Sequence, residues 1–163
     1  MRLVIAATAI AALSLTACGK KPEADKPSVT VNANGYTVKG NDGSATITTG
    51  AGAASAAAAR TPDFAPVYPG ATVESTIAGV GSENGEAQGG SVVFNTKASP
   101  QQVIDFYKQK TGAAGLAPQM SADMGQALMF AASDDATKRG VQVIVSGKDG
   151  GSNVTVTWAT PKS

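Results

Sequence analysis

Apolar and polar side chains alternate over several short segments of this chain, the period-two pattern of strands that bury one face. The two segments nearest the C-terminus are joined by Lys148-Asp149-Gly150-Gly151, which predicts a plain hairpin loop. Alternating segments separated by close turns predict an antiparallel sheet. In the C-terminal part of the chain the predicted strands lie at residues 72–79, 90–96, 126–132, 140–146 and 152–159.

A different period follows the second of these strands and predicts one helix. Ser99 is suited to the N-cap, Pro100 to the first helical position, and Gln102 completes a capping box. Gly112 ends the helix. The apolar side chains fall within about 160° of the helical wheel, so the helix is one-sided and packs on a sheet; they are Val103, Ile104, Phe106 and Tyr107. The sequence therefore predicts an α+β domain over residues 61–161, with one helix packed on one face of an antiparallel sheet.

The N-terminus shows a third pattern. After Met1 and Arg2, residues 3–15 contain only Ala, Val, Ile, Leu, Thr and Ser. A helix of this length rises about 20 Å, well short of the roughly 30 Å hydrocarbon core of a bilayer. The segment therefore predicts a cleavable export signal rather than a transmembrane anchor.

The four residues Leu15-Thr16-Ala17-Cys18 follow this segment and resemble the lipobox of bacterial lipoproteins. The resemblance implies a signal peptide over residues 1–17, cleavage between Ala17 and Cys18, and a diacylglycerol on the Cys18 sulfur. In that family the new amine is usually acylated as well, and several acyl chains hold a protein stably at a membrane. Residues 18–27 then form a lipidated tether.

The residue after Cys18 is Gly19. In proteobacterial lipoproteins, an Asp at this position resembles the signal that retains the lipoprotein at the inner membrane. Its absence implies a lipid-anchored protein of the cell envelope, at the outer membrane and facing the periplasm.

Residues 28–49 predict either a three-stranded β-meander or a disordered segment, since they are rich in Gly, Asn and Thr. A type I′ turn at Asn34-Gly35 would set Ala33 opposite Tyr36 and Val31 opposite Val38. A second turn at Asp42-Gly43 would set Ile47 opposite Val38. One face of this meander is apolar, and it holds Val29, Val31, Ala33, Tyr36, Val38, Ala45 and Ile47.

Half-burying a few aliphatic side chains does not offset the entropy of ordering some twenty residues, so such a meander needs a partner for its apolar face. The sequence leaves three partners open: the main domain, another copy of the chain, or an envelope component. Residues 50–60 follow as an Ala/Gly-rich linker with one or two helical turns.

The chain has 163 residues, no histidine and a single cysteine. This excludes His/Cys metal sites, Ser-His-Asp and Cys-His catalysis, and an internal disulfide. We therefore expect no enzyme activity and no cofactor. Carboxylates alone remain for acid–base chemistry, and we interpret Asp134-Asp135 as a solvated turn. Without residues 1–17, twelve basic residues balance twelve acidic ones, so we expect no nucleic-acid partner.

A second resemblance covers about a hundred residues. Tyr68-Pro69-Gly70-Ala71 before the first strand, Ser99-Pro100 and Phe106-Tyr107 are similar to a class of uncharacterised bacterial envelope domains. The resemblance implies the fold and no particular activity.

Two functional hypotheses follow from the sequence. The first is a non-catalytic, membrane-anchored structural or protein-interaction module with an envelope protein partner. The alternative is a periplasmic binding module for a small apolar or glycan ligand, and it predicts a concave, partly apolar cavity near Tyr68 or Tyr107. The sequence leaves the oligomeric state open.

Overall fold

The computed structural model describes residues 27–40, 43–81, 87–148 and 150–161. The predicted signal peptide, Cys18 and the predicted tether up to residue 26 lie outside this range. Nine strands form a single sheet, in which every described neighbouring pair is antiparallel. The strand order across the sheet is β1-β2-β3-β4-β5-β9-β8-β7-β6. The elements are β1 (Ser28–Asn32), β2 (Gly35–Gly40), β3 (Gly43–Thr49), α1 (Ala51–Arg60), β4 (Thr72–Gly81), β5 (Ala87–Thr96), α2 (Pro100–Ala113), β6 (Ala117–Asp123), β7 (Ala127–Asp134), β8 (Arg139–Lys148) and β9 (Gly151–Pro161).

The predicted α+β class is confirmed in its coarse form, an antiparallel sheet with helices on one face. The capping box of α2 is present: Gln102 N donates to Ser99 Oγ at 3.4 Å, and Ser99 N donates to Gln102 Oε1 at 2.9 Å. Within the described residues the helices number two rather than one, because the linker at 50–60 folds as α1. Ala53 and Ala57 of α1 are fully buried, since alanine favours helix and lets the helix approach the sheet closely.

Strand β6 was not predicted from the sequence. Its residues do not alternate regularly, and all but Ala122 are exposed. It pairs with β7 at the edge of the sheet, with a register shift between Pro118 and Met120. Proline is tolerated at such an edge because no further strand needs its missing N–H.

The core lies between the two helices and the sheet. Val92, Val156, Val143 and Phe130 are neighbours across β5, β9, β8 and β7, and all are fully buried. Helix α2 closes this face with Val103, Ile104 and Tyr107. Helix α1 covers the adjoining part, where Thr76 Oγ1 donates to Ala53 O at 3.0 Å. Both helices therefore pack on the same face of the sheet.

The predicted register of the N-terminal strands is wrong. Val31 pairs with Tyr36, and the turn lies at residues 33–34, one position earlier than predicted. Two features explain the shift. Asn34 N donates to Asn32 Oδ1 at 3.0 Å, which stabilises the earlier turn. Gly35 lies in β2 with φ +147°, and its Cα lies close to the Ile47 carbonyl. A Cβ at Gly35 would lie 1.8 Å from Ile47 O, so this position requires glycine.

The second hairpin is shifted by the same amount. Ile47 pairs with Tyr36 rather than Val38, and Val38 pairs with Ala45. Residues 41–42, between β2 and β3, lie outside the described residues. Each shift changes the pairing by two positions, so the predicted apolar residues of the strands still share one face, and only Ala33 leaves that set to join the turn.

That apolar face points away from the core. Thr46 pairs with Ala78 and Thr48 pairs with Thr76, and both β4 partners are buried under the helix side. Thr30, Thr37, Thr46 and Thr48 therefore lie on the helix side, and the apolar side chains of these strands lie on the opposite side. We call this set the outer apolar patch; it consists of Val29, Val31, Tyr36, Val38, Ala45, Ile47 and Ile77. Neither described helix covers it.

Across the described residues, we find no helix long and apolar enough to cross a membrane.

Candidate ligand-binding groove

An open groove of about 640 Å³ lies where the loop before β4, the start of α2 and the β8–β9 hairpin meet. Its described lining residues are Tyr68, Pro69, Gly70, Thr72, Asn95, Thr96, Lys97, Ala98, Gln102, Lys148, Gly150, Gly151 and Ser152. The volume is in the range of small-molecule sites. One wall is formed by an aromatic ring and small apolar groups, and the others are formed by amides, hydroxyls and backbone.

The aromatic wall is set by a tight turn. Ala71 N donates to Tyr68 O at 3.1 Å, with Pro69 and Gly70 between them and φ +73° at Gly70. Proline followed by a residue with positive φ is typical of a type II turn, which requires glycine at the second position. The Tyr68 ring then packs edge-on against Phe106 of α2, with ring centroids 5.0 Å apart.

The opposite wall is held by the β8–β9 hairpin. Ser152 is buried, and its Oγ donates to Ala98 O at 2.8 Å. Gly151 lies so close to the end of β5 that a Cβ would meet Thr96 O at 2.1 Å. Both walls are therefore fixed by packing and hydrogen bonds.

The amide of Asn95 is used within the protein. Its Nδ2 donates to Glu74 Oε1, and its Oδ1 accepts from Asn153 Nδ2 at 3.0 Å. The exposed side chains of Lys97, Gln102 and Lys148 offer further donors at the groove. None of the described lining residues is a carboxylate; Asp149, beside Lys148 in the sequence, lies outside the described residues.

A second groove of about 660 Å³ lies at the other end of α2. The Arg139 guanidinium that lines this groove is already bound within the protein. Its Nη2 donates to Asp134 Oδ2 at 3.2 Å and to Ala114 O at 3.1 Å. The guanidinium also lies 5.9 Å from the centroid of the Phe64 ring. These contacts hold β8 to the end of α2. The groove beside Tyr68 is therefore the stronger candidate site.

The structure separates the two tyrosines considered from the sequence. Tyr68 lines the groove, whereas Tyr107 is fully buried in the core, and its hydroxyl donates to Pro66 O at 2.6 Å. Burial raises the pKa of Tyr107 far above its usual value of 10.0, so the phenol stays a protonated donor at neutral pH. Tyr107 thus supports the loop that carries Tyr68.

Asp134 is the last residue of β7 and precedes the turn to β8. It accepts hydrogen bonds from the backbone N–H groups of Ala136 and Thr137. Side-chain hydrogen bonds from Thr137 and then Arg139 hold the pKa of Asp134 below its ordinary value. This carboxylate therefore organises a turn. The described residues also contain no group of three or more His, Cys, Asp or Glu side chains placed to hold a metal ion.

The predicted lipid site at Ala17 and Cys18 lies outside the described residues. The sequence reasoning did not associate Lys97, Gln102 or Lys148 with any site, and it treated Gly151 as part of a plain hairpin loop. No local signal marks these positions, because they meet only when the hairpin packs against the end of β5.

Comparison with known proteins gives one match. A family model described as START domain-like matches residues 73–151, just under half of the chain. No curated protein and no solved structure matches. The matched segment runs from β4 through α2 to the start of β9 and includes most of the groove lining. Over this segment the chain is similar to START-like domains.

Proposed function

We propose that this protein is a lipid-anchored, non-catalytic lipoprotein of the bacterial envelope whose START-like segment binds a small apolar or glycan ligand in the groove beside Tyr68. The observation that carries the proposal is the groove itself, a pocket with rigid walls whose lining lies mostly within the matched segment. Family similarity alone would suggest a ligand-binding module without locating its site.

The lining supports this ligand class. The Tyr68 ring, with Pro69 and Ala98 nearby, gives an apolar surface on which a sugar ring or a short hydrocarbon segment can lie. Around this surface stand hydroxyl and amide groups, including those of Thr72 and Gln102, which can orient a polar substituent. A site of this kind binds and orients a small molecule.

Replacing Tyr68 with alanine is expected to weaken ligand binding at least about tenfold, because the apolar wall of the groove is lost. The probes are tri-N-acetylglucosamine for a glycan and decanoate for an apolar ligand. Binding of one of them should shift the amide NMR signals of Gly70, Gly150 and Gly151. The matched control is Tyr36→Ala, since Tyr36 is 41 % exposed on the opposite side of the sheet. The proposal is wrong if neither probe shifts these signals, or if both variants lose affinity equally.

The anchor is tested separately. In its own host, the wild-type protein is expected to lose residues 1–17, gain the mass of a diacylglycerol with a further acyl chain, and fractionate with the outer membrane. Cys18→Ala should stay unprocessed, because the sulfur that accepts the lipid is missing. Intact mass spectrometry and membrane fractionation measure both results. A soluble, unacylated wild-type protein would contradict the anchor while leaving the groove proposal intact.

A second candidate function is a structural or protein-interaction module with an envelope protein partner. The outer apolar patch favours it, because Val29 is 59 % and Val31 76 % exposed and neither described helix covers them. Such a module would present the patch to another macromolecule and would not need the groove.

A further inference from the structure

The three N-terminal strands expose the side that strands usually bury. Thr30, Thr37, Thr46 and Thr48 lie on the helix side of these strands, and the outer apolar patch lies on the other side. The strands join the molecule by pairing β3 with β4, and this pairing leaves the patch open. Within the described residues, no element of the main domain covers this face, so another copy of the chain and an envelope component are the two partners that remain.

The outer apolar patch lies at one corner of the uncovered side. Elsewhere on that side the apolar residues Val93, Met129 and Ile144 are half-buried, and Met120 is exposed at the opposite edge of the sheet. Further across the sheet, the row that contains Ile77 continues with Ser91, Thr157 and Gln142, which are polar. The most exposed apolar side chains of the patch belong to β1 and β2, the edge of the sheet where the described chain begins. A partner that contacts this corner must therefore lie close to the residues that precede β1.

The length of the preceding chain limits how far this corner can lie from a lipid anchor. Nine residues lie between Cys18 and Ser28, the first residue of β1, so ten Cα-to-Cα steps join the two. Fully extended they span at most about 35 Å, and as a flexible chain about 17 Å. A lipid on Cys18 would therefore keep β1 within about 35 Å of the headgroups.

We infer that the outer apolar patch lies against the lipid surface in which Cys18 is anchored. Val29 and Val31 would enter the boundary between headgroups and acyl chains, and Tyr36 has the ring and hydroxyl typical of a membrane interface. The tether carries Lys20, Lys21 and Lys26 against Glu23 and Asp25, so its excess charge suits anionic headgroups. Because both helices lie on the other face of the sheet, this contact turns them away from the bilayer. The inference rests on the anchor of the proposed function and does not depend on the ligand.

The test uses a fluorescent label at one introduced thiol in the full lipidated protein. Val31→Cys places the label in the patch, and Thr30→Cys is the matched control, an adjacent and exposed residue on the opposite side of β1. The Cys18 sulfur is consumed by lipid, so each variant has one reactive thiol. The proteins are reconstituted in vesicles of phosphatidylethanolamine and phosphatidylglycerol that carry a quencher on the acyl chains. We expect the label at position 31 to be quenched at least about twofold more than the label at position 30.

Intact mass and circular dichroism come first and confirm that each variant is acylated and folded. If the variants are acylated and the two labels are quenched equally, the inference is wrong although the anchor stands. A second possible outcome is that the label at position 31 is shielded in the absence of vesicles, to a degree that increases with protein concentration. This would show that a second copy of the chain covers the patch, and it would also overturn the inference. In whole cells, a crosslink from position 31 to an envelope protein rather than to lipid would likewise overturn the inference. An unacylated wild-type protein would overturn the anchor and this inference together.

Discussion

Replacing Phe130 with alanine is expected to lower the free energy of unfolding by about 3–5 kcal/mol, enough to unfold a large fraction of a marginally stable domain. Phe130 is fully buried in the middle of the core, between Val143 of β8 and the helix side. Its removal takes away a large apolar surface and leaves a cavity that the surrounding strands cannot close, because hydrogen bonds on both sides hold β7.

The neighbouring residue provides the control. Met129 lies in the same strand on the uncovered side of the sheet and is half-buried. Met129→Ala is expected to change the free energy of unfolding by less than about 1 kcal/mol. Urea unfolding followed by circular dichroism measures both variants, with the m-value checked for a common unfolded state. Equal losses in the two variants would mean that the helices do not cover the Phe130 side of the sheet.

Gly151→Ala is expected to destabilise the protein by about 3 kcal/mol and to distort the candidate groove. The added Cβ would lie 2.1 Å from Thr96 O and 3.0 Å from Lys97 Cα. Both neighbours are backbone atoms, so no side chain can rotate out of the way. The β8–β9 hairpin would have to move away from the end of β5, which strains the bond from Ser152 Oγ to Ala98 O.

Gly147 is the control because it lies in the same hairpin, and a Cβ there would meet nothing within 4 Å. Gly147→Ala is expected to change stability by no more than about 0.5 kcal/mol. Urea unfolding gives the stabilities, and the amide NMR signal of Gly70 reports the groove. That signal should shift in Gly151→Ala and stay in place in Gly147→Ala. A Gly151→Ala protein as stable as the wild type would mean that the hairpin does not pack against β5 as described.

The elements that sequence reasoning predicted well are those whose signals are local. The cap of α2 needs only Ser99 and Gln102, three positions apart, and its buried face needs only the helical period. The alternation of Val141, Val143 and Val145 likewise marks β8 with its buried side. Strand β6 carries no such signal, because an edge strand that is exposed on both sides has no buried side chains to alternate.

The candidate groove could be predicted only in part. The sequence placed a possible cavity near Tyr68 or Tyr107, and of these two residues Tyr68 lines the groove. Lys97 and Lys148 are 51 positions apart in the sequence, and nothing near either one indicates the other. They come to one groove because β9 pairs with β5, which brings the β8–β9 hairpin to the end of β5.

By itself, the sequence determined which side chains share a face, since successive residues of a strand point to opposite sides whatever the strand pairs with. It therefore grouped the apolar residues of β1–β3 correctly even though the register of both strand pairs was predicted two positions off. Which side of the sheet that group occupies was decided only by the tertiary structure. The pairing of Thr48 with Thr76 joins the threonine side to the core side, because a ladder aligns neighbouring residues on one face. The alternation within a strand is local, but its orientation toward the core depends on the neighbouring strand.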